Sequence, residues 1–112
     1  MSEEILNDFS LEKLRDLNTQ RCEKYFPGCK DWTLADWSNA LAGEVGELCN
    51  LIKKIRRGDK IERRAIAEEF ADVIIYVDIL ASQFNLDLDK IIVHKFNKVS
   101  KRVFCPLKFV EF

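Results

Sequence analysis

The sequence has little that would break a helix: 4 glycines and 2 prolines in 112 residues. That scarcity, beside a 47% share of hydrophobic residues, excludes low-complexity and loop-rich scaffolds and favours long, uninterrupted helices. No Cys-x-x-Cys pair is present, and His94 is the single histidine, so a structural zinc site has too few neighbouring ligands. Cys22, Cys29, Cys49 and Cys105 are widely spread and follow no signal-like leader, so the expectation is reduced thiols in a cytoplasmic protein. No apolar run approaches the length of a bilayer span. With a formal net charge of −1 and both signs mingled along the chain, no polybasic face argues for a nucleic acid polymer or a membrane.

What is present is hydrophobic periodicity near 3.6 residues. Ser10 caps a first helix whose apolar positions include Leu11, Leu14, Cys22 and Tyr25, and Pro27-Gly28 stops it. Thr33-Leu34-Ala35-Asp36 is a capping box with Asp in the usual Glu place, opening a second helix with the stripe Leu34, Trp37, Leu41, Val45, Leu48, Ile52 and Ile55. A Lys-Lys-Ile-Arg-Arg tail and Gly58 close it, as the macrodipole favours. Asp59 and Glu62 repeat the capping pattern ahead of a third helix, striped by Ile66, Phe70, Val73, Val77, Leu80 and Phe84. Its run Val73 to Ala81 is apolar nearly all round, so this central helix is expected to be covered by a second subunit. After Asn85-Leu86-Asp87 a fourth helix carries Leu88, Ile92, Phe96, Val99 and Val103, with Lys95, Lys98 and Arg102 along one edge. The domain reading is an arm or short helix over 1–9, an all-α, four-helix bundle-like domain over 10–104, and a tail over 105–112 in which Phe109 and Phe112 are free to dock on a neighbour.

Two acidic pairs stand out, Glu44-x-x-Glu47 and Glu69-x-x-Asp72, one on each of the middle helices. Residues three apart share a helix face, so each pair aims two carboxylates the same way. One such pair is most often a solvated edge. Two pairs beside apolar stripes, on helices joined by a short turn and without matching cations on those faces, point instead to four converging carboxylates that need a cation. Oxygen-only ligands suit Mg²⁺ or Mn²⁺, which bind substrate phosphates as well as protein. Gly43 and Gly46 flank Glu44 at a cost of about 1 kcal/mol each relative to Ala, which predicts close approach by another backbone or by a ligand. Glu68 and Asp78 fall on the opposite side of the third helix, where solvation is expected.

Other side chains leave two readings each. Lys95 and Arg102 form either a charged helix edge or a phosphate-binding row, and Lys54 shares the angular sector of Glu47. Tyr76, one turn after Asp72, is either a phosphate donor or a hydrogen-bonded core tyrosine. Trp37 lies on the apolar stripe as a core aromatic, whereas Trp32 in the connector is free to stack on a base. His94 lies away from the cations.

Leu41-Ala42-Gly43-Glu44-Val45-Gly46-Glu47-Leu48, Glu68 to Tyr76 and Lys95 to Arg102 together resemble the MazG-like all-α nucleoside triphosphate pyrophosphatase superfamily, over about residues 11–103. The resemblance implies a homodimer or homotetramer that cleaves a nucleoside triphosphate between its α and β phosphates, giving a monophosphate and pyrophosphate. It implies that Glu44, Glu47, Glu69 and Asp72 hold Mg²⁺, with Lys95 and Arg102 on the phosphates and Tyr76 nearby. Two departures concern base identity: Val99 stands where relatives acting on dCTP or dUTP commonly carry Asn, and Asn18, a base-binding candidate beside Trp32, stands where one branch tends to carry His. The implied role is cleansing of the (deoxy)nucleotide pool. A non-catalytic helical dimer that binds nucleotide or a protein partner through a structural metal cluster is the alternative. A carboxylate-bridged iron site is disfavoured because such bundles use Glu-x-x-His pairs.

Overall fold

The computed structural model describes residues 3–6, 8–26 and 28–111. Met1, Ser2, Asn7, Pro27 and Phe112 lie outside the described residues, so the helix stop expected at Pro27 and the docking expected of Phe112 do too. Among the described residues there are four α-helices and no strand: α1 (Leu11–Tyr25), α2 (Leu34–Arg56), α3 (Arg63–Ser82) and α4 (Leu88–Arg102), with a 3₁₀ turn (Cys29–Asp31) between the first two. Residues 3–6 and 8–9 carry no regular structure.

Local chemistry explains most of the boundaries. The Ser10 hydroxyl accepts a hydrogen bond from the Lys13 N–H at 3.0 Å, and Thr33 and Asp36 form a reciprocal capping box. At the end of α2, Gly58 adopts φ 99°, and the Gly58 and Asp59 N–H groups donate to the carbonyls of Ile55 and Lys54. This is a Schellman closure, in which a left-handed residue satisfies the last carbonyls. Asn85 (φ 56°) closes α3 in the same way, and Phe104 (φ 58°) closes α4 through Cys105 N–H to Ser100 O at 2.8 Å. The start of α3 departs from expectation: Glu62 is the N-cap without a side-chain bond, because the Asp59 carboxylate is taken by Arg57 at 2.7 Å.

α3 is the central element, packed on α2 along one side and on α1 along another, while α4 packs on α1. Trp37, Ile79 and Leu88 are the buried hydrophobic residues among those described. The expectation that Asp78 is solvated is overturned. It is 1% exposed, and its carboxylate accepts hydrogen bonds from Arg15 Nε at 3.1 Å and Asn18 Nδ2 at 2.9 Å. Burial of a carboxylate requires such partners, and α1 supplies both. Arg15 continues to the Leu86 carbonyl at 2.6 Å, so this clasp ties α1 to α3 and to the turn before α4. Glu68 is exposed, beside Arg64.

The tail folds back on α4. Asn97 donates to the Phe109 carbonyl and accepts from the Phe109 N–H, both at 2.8 Å, and Phe96 meets the Phe109 ring edge-on at 5.0 Å. His94 lies 3.5 Å from the Glu111 carboxylate.

Much apolar surface is left uncovered, including Val45, Ile52, Ile55, Phe70 and Ile74 on α2 and α3. The radius of gyration is 17.1 Å, against about 13 Å for a compact domain of ~100 residues. The accessible surface is 9346 Å², roughly 3,000 Å² more than the scaling for a compact monomer of this mass.

Candidate metal and nucleotide site

The short connection between α2 and α3 makes a helical hairpin. Glu47 lies nine residues before the end of α2 and Glu69 six residues after the start of α3, so the two stand at similar distances from the turn. One carboxylate oxygen from each of Glu44, Glu47 and Glu69 lies within 4.8 Å of the others. Glu44 and Glu69 are half-buried, and Glu47 is exposed. Asp72 is half-buried one turn after Glu69, close enough for its charge to act on Glu44.

The electrostatics of this cluster are unfavourable to four free anions. Burial, and then the charges of Glu47 and Glu44, push the Glu69 carboxyl up to about 7. Glu44 is raised as well, by burial first and then by the charges of Glu47 and Asp72. Without a cation, a proton is the charge that relieves the repulsion. Glu44 Oε2 and Glu69 Oε2 are buried and have no hydrogen-bond partner. Two acids with an orphaned buried oxygen each, converging with a third carboxylate, fit a hard dication with oxygen ligands.

Two adjoining cavities, of about 190 and 390 Å³, share a wall of Cys22, Cys29, Trp32, Trp37 and Ile79. The larger also includes Asp72 and Tyr76, and so connects the acidic side of α3 to the aromatic wall. Trp37 is buried as expected, and Trp32 is half open to solvent with its ring 4.6 Å from that of Trp37. Tyr76 is half-buried, its ring 6.3 Å from Trp37. Burial, and after it the charges of Glu44 and Asp72, raise the Tyr76 phenol, so it stays a hydrogen-bond donor at neutral pH. Asn18 lines the smaller cavity with its amide nitrogen engaged by Asp78.

The cations are placed differently. Lys54 is half-buried on α2, two turns beyond Glu47. Lys95 borders an apolar hollow with Ile91, Ile92 and Phe96, and Arg102 is exposed in the last turn of α4. Because α4 packs on α1 and makes no comparable contact with α2 or α3 among the described residues, one chain does not gather these two cations with its acids. The close approach expected at Gly43 and Gly46 is not made within the chain either, since a Cβ at either position would meet nothing within 4 Å.

A family model for the MazG nucleotide pyrophosphohydrolase domain matches residues 33–104. This chain belongs to the MazG family. No match was found among curated proteins. The family comprises nucleotide pyrophosphohydrolases that generally depend on a divalent metal. In this MazG domain the matched segment runs from the cap of α2 to the end of α4 and leaves α1 outside. The cavity residues Asn18 and Cys22, and the Arg15–Asp78 clasp, therefore depend on a helix beyond the matched segment. Cys22, Cys29 and Arg15 were not singled out as site or clasp residues by their spacing. The signal for the clasp was there in Arg15 and Asn18, three residues apart on one helix face, but their partner lies 60 residues on.

Proposed function

We propose that this MazG domain hydrolyses a nucleoside triphosphate between the α and β phosphates, releasing a nucleoside monophosphate and pyrophosphate. The observation that carries the reading is the convergence of Glu44, Glu47 and Glu69, one carboxylate oxygen of each within 4.8 Å of the others, with a buried, partnerless oxygen on both Glu44 and Glu69. Glu44, Glu47, Glu69 and Asp72 are the residues that would hold Mg²⁺, or Mn²⁺ in its place. A bound dication supplies positive charge to the triphosphate oxygens and to the departing pyrophosphate.

The chain's own groups have separable tasks. Glu47, the exposed member of the cluster, accepts the proton of the attacking water. The Tyr76 phenol donates to a phosphate oxygen, and Lys54 adds positive charge from α2. Trp32, half exposed on the cavity wall, stacks on the base, and Asn18 borders the same space.

Lys95 and Arg102 bind the phosphates from a second copy of the chain. The uncovered stripes of α2 and α3 support a homodimer or homotetramer, because the excess surface is of the order that obligate interfaces bury. The setting is cytoplasmic, and the substrates are (deoxy)nucleotides removed from the pool. A panel of ribo- and deoxyribonucleoside triphosphates, incubated with Mg²⁺ or Mn²⁺ and resolved by chromatography, tests the reading. Monophosphate and pyrophosphate in equal amounts are expected. Diphosphate and inorganic phosphate, or no turnover of any member, would overturn it.

A further inference from the structure

Two sulfurs outside the acidic cluster occupy the wall between the cavities. Cys22 sits in the last two turns of α1 and Cys29 opens the 3₁₀ turn, and both are half-buried with free thiols. Each lines both cavities, and Cys22 is near enough to add to the effect of burial on the Cys29 thiol. Trp32 caps the 3₁₀ turn that Cys29 opens. Its N–H donates to the Cys29 carbonyl at 3.1 Å, while the Cys29 N–H donates to Phe26 O at 3.1 Å. A covalent tie at Cys29 therefore fixes the segment that carries the Trp32 ring.

We propose that Cys22 and Cys29 are a reversible dithiol–disulfide pair, oxidised by a low-molecular-weight organic disulfide, that latches the Trp32 turn onto α1. The thiolate of Cys22 attacks one sulfur of the organic disulfide, whose S–S bond breaks and releases one thiol. Cys29 then attacks the Cys22 sulfur of the mixed disulfide, forming the Cys22–Cys29 bond and expelling the second thiol. The two protein sulfurs lose two electrons in total, and the organic disulfide gains them with both thiol protons. Burial pushes the Cys29 thiol up to about 11, which keeps it protonated and makes it the slower, resolving partner. The bridge closes only the loop 22–29, so the rest of the fold is unaffected. Latching restrains Trp32 against Trp37 on the wall that the proposed function assigns to the base. The effect on catalysis, but not the bridge itself, rests on that reading.

The test treats the whole protein with oxidised glutathione and maps it by trypsin digestion and mass spectrometry. Lys24 lies between the two cysteines, so the bridge joins peptides 22–24 and 25–30. Expected are this crosslink, loss of two of the four thiols, a change in tryptophan fluorescence, and reversal of all three by dithiothreitol. With the triphosphate turned over best, oxidation raises KM about threefold or more and leaves kcat within about twofold, as for a change confined to uniform binding. Cys29→Ser and Cys29→Ala should each keep a glutathione adduct on Cys22 without the crosslink. Crosslinks to Cys49 or Cys105, stable adducts on both cysteines, or a bridge that alters neither fluorescence nor KM would overturn the proposal. If no triphosphate is turned over, the catalytic reading has failed, and the crosslink and fluorescence still decide the latch.

Discussion

Replacing Asp78 with Ala removes a buried acceptor that holds α1 against α3. Asn18, 4% exposed, loses its bond to Asp78 and leaves a buried amide donor unsatisfied, at a cost of about 1–3 kcal/mol. Arg15 also loses its Nε contact, but its side chain is 19% exposed and it keeps the Leu86 carbonyl and the neighbouring Asp87. Breaking a fully buried ion pair costs about 3–5 kcal/mol, and the partial solvation of Arg15 puts this one at the lower end, about 3 kcal/mol. For a domain of this size that corresponds to a fall in Tm of about 12 °C. Asp78→Asn keeps an acceptor for Asn18 and loses only the charge facing Arg15, so about half the penalty is expected. Glu68→Ala, on an exposed pair with Arg64, is the control and should cost no more than about 0.5 kcal/mol. Urea unfolding followed by circular dichroism, at one fixed protein concentration, measures all three. Equal stabilities for Asp78→Ala and Glu68→Ala would refute the reasoning.

Phe104 holds a left-handed conformation while 95% exposed, so Phe104→Gly relieves backbone strain without losing packing and should stabilise by about 1 kcal/mol; a lower urea midpoint would count against that. Glu69 titrates at about 7 in the fold against 4.5 as its ordinary value. A raised carboxyl binds more protons folded than unfolded between those values, so its contribution is complete below the lower one and is lost as pH rises through the upper. In the presence of a chelator, Tm should therefore fall between about pH 5 and pH 8, and saturating Mg²⁺ should abolish the fall. Thermal scans across that range check it, and a Tm that climbs with pH in chelator contradicts the electrostatic account.

The helices were legible because their signals are local: Ser10, Thr33 with Asp36, Gly58 and the apolar periodicity each act within a few residues. The convergence of Glu44, Glu47 and Glu69 was legible for a related reason, since a short turn between two helices leaves few ways to arrange their faces. The α3 cap was misplaced because Arg57 competes for Asp59, a contact that capping patterns ignore. Asp78 was misjudged because helical angle places a residue on a face without saying what packs there, and its partners sit on α1. The nearness of Cys22 and Cys29 depends on how the 3₁₀ turn folds back, which periodicity does not describe. For Gly43 and Gly46, nothing among the described residues explains the cost of glycine.

The central claim is that α2 and α3 aim their carboxylates at one dication, and calorimetric titration of the chelator-treated protein with Mg²⁺ or Mn²⁺ tests it without any substrate. Saturable binding to the unsubstituted protein is expected, weakened about tenfold or more in Glu44→Gln and in Glu69→Gln, with both variants keeping their helical signal. Binding that is unchanged in both variants, or absent from the unsubstituted protein at millimolar metal, would contradict it.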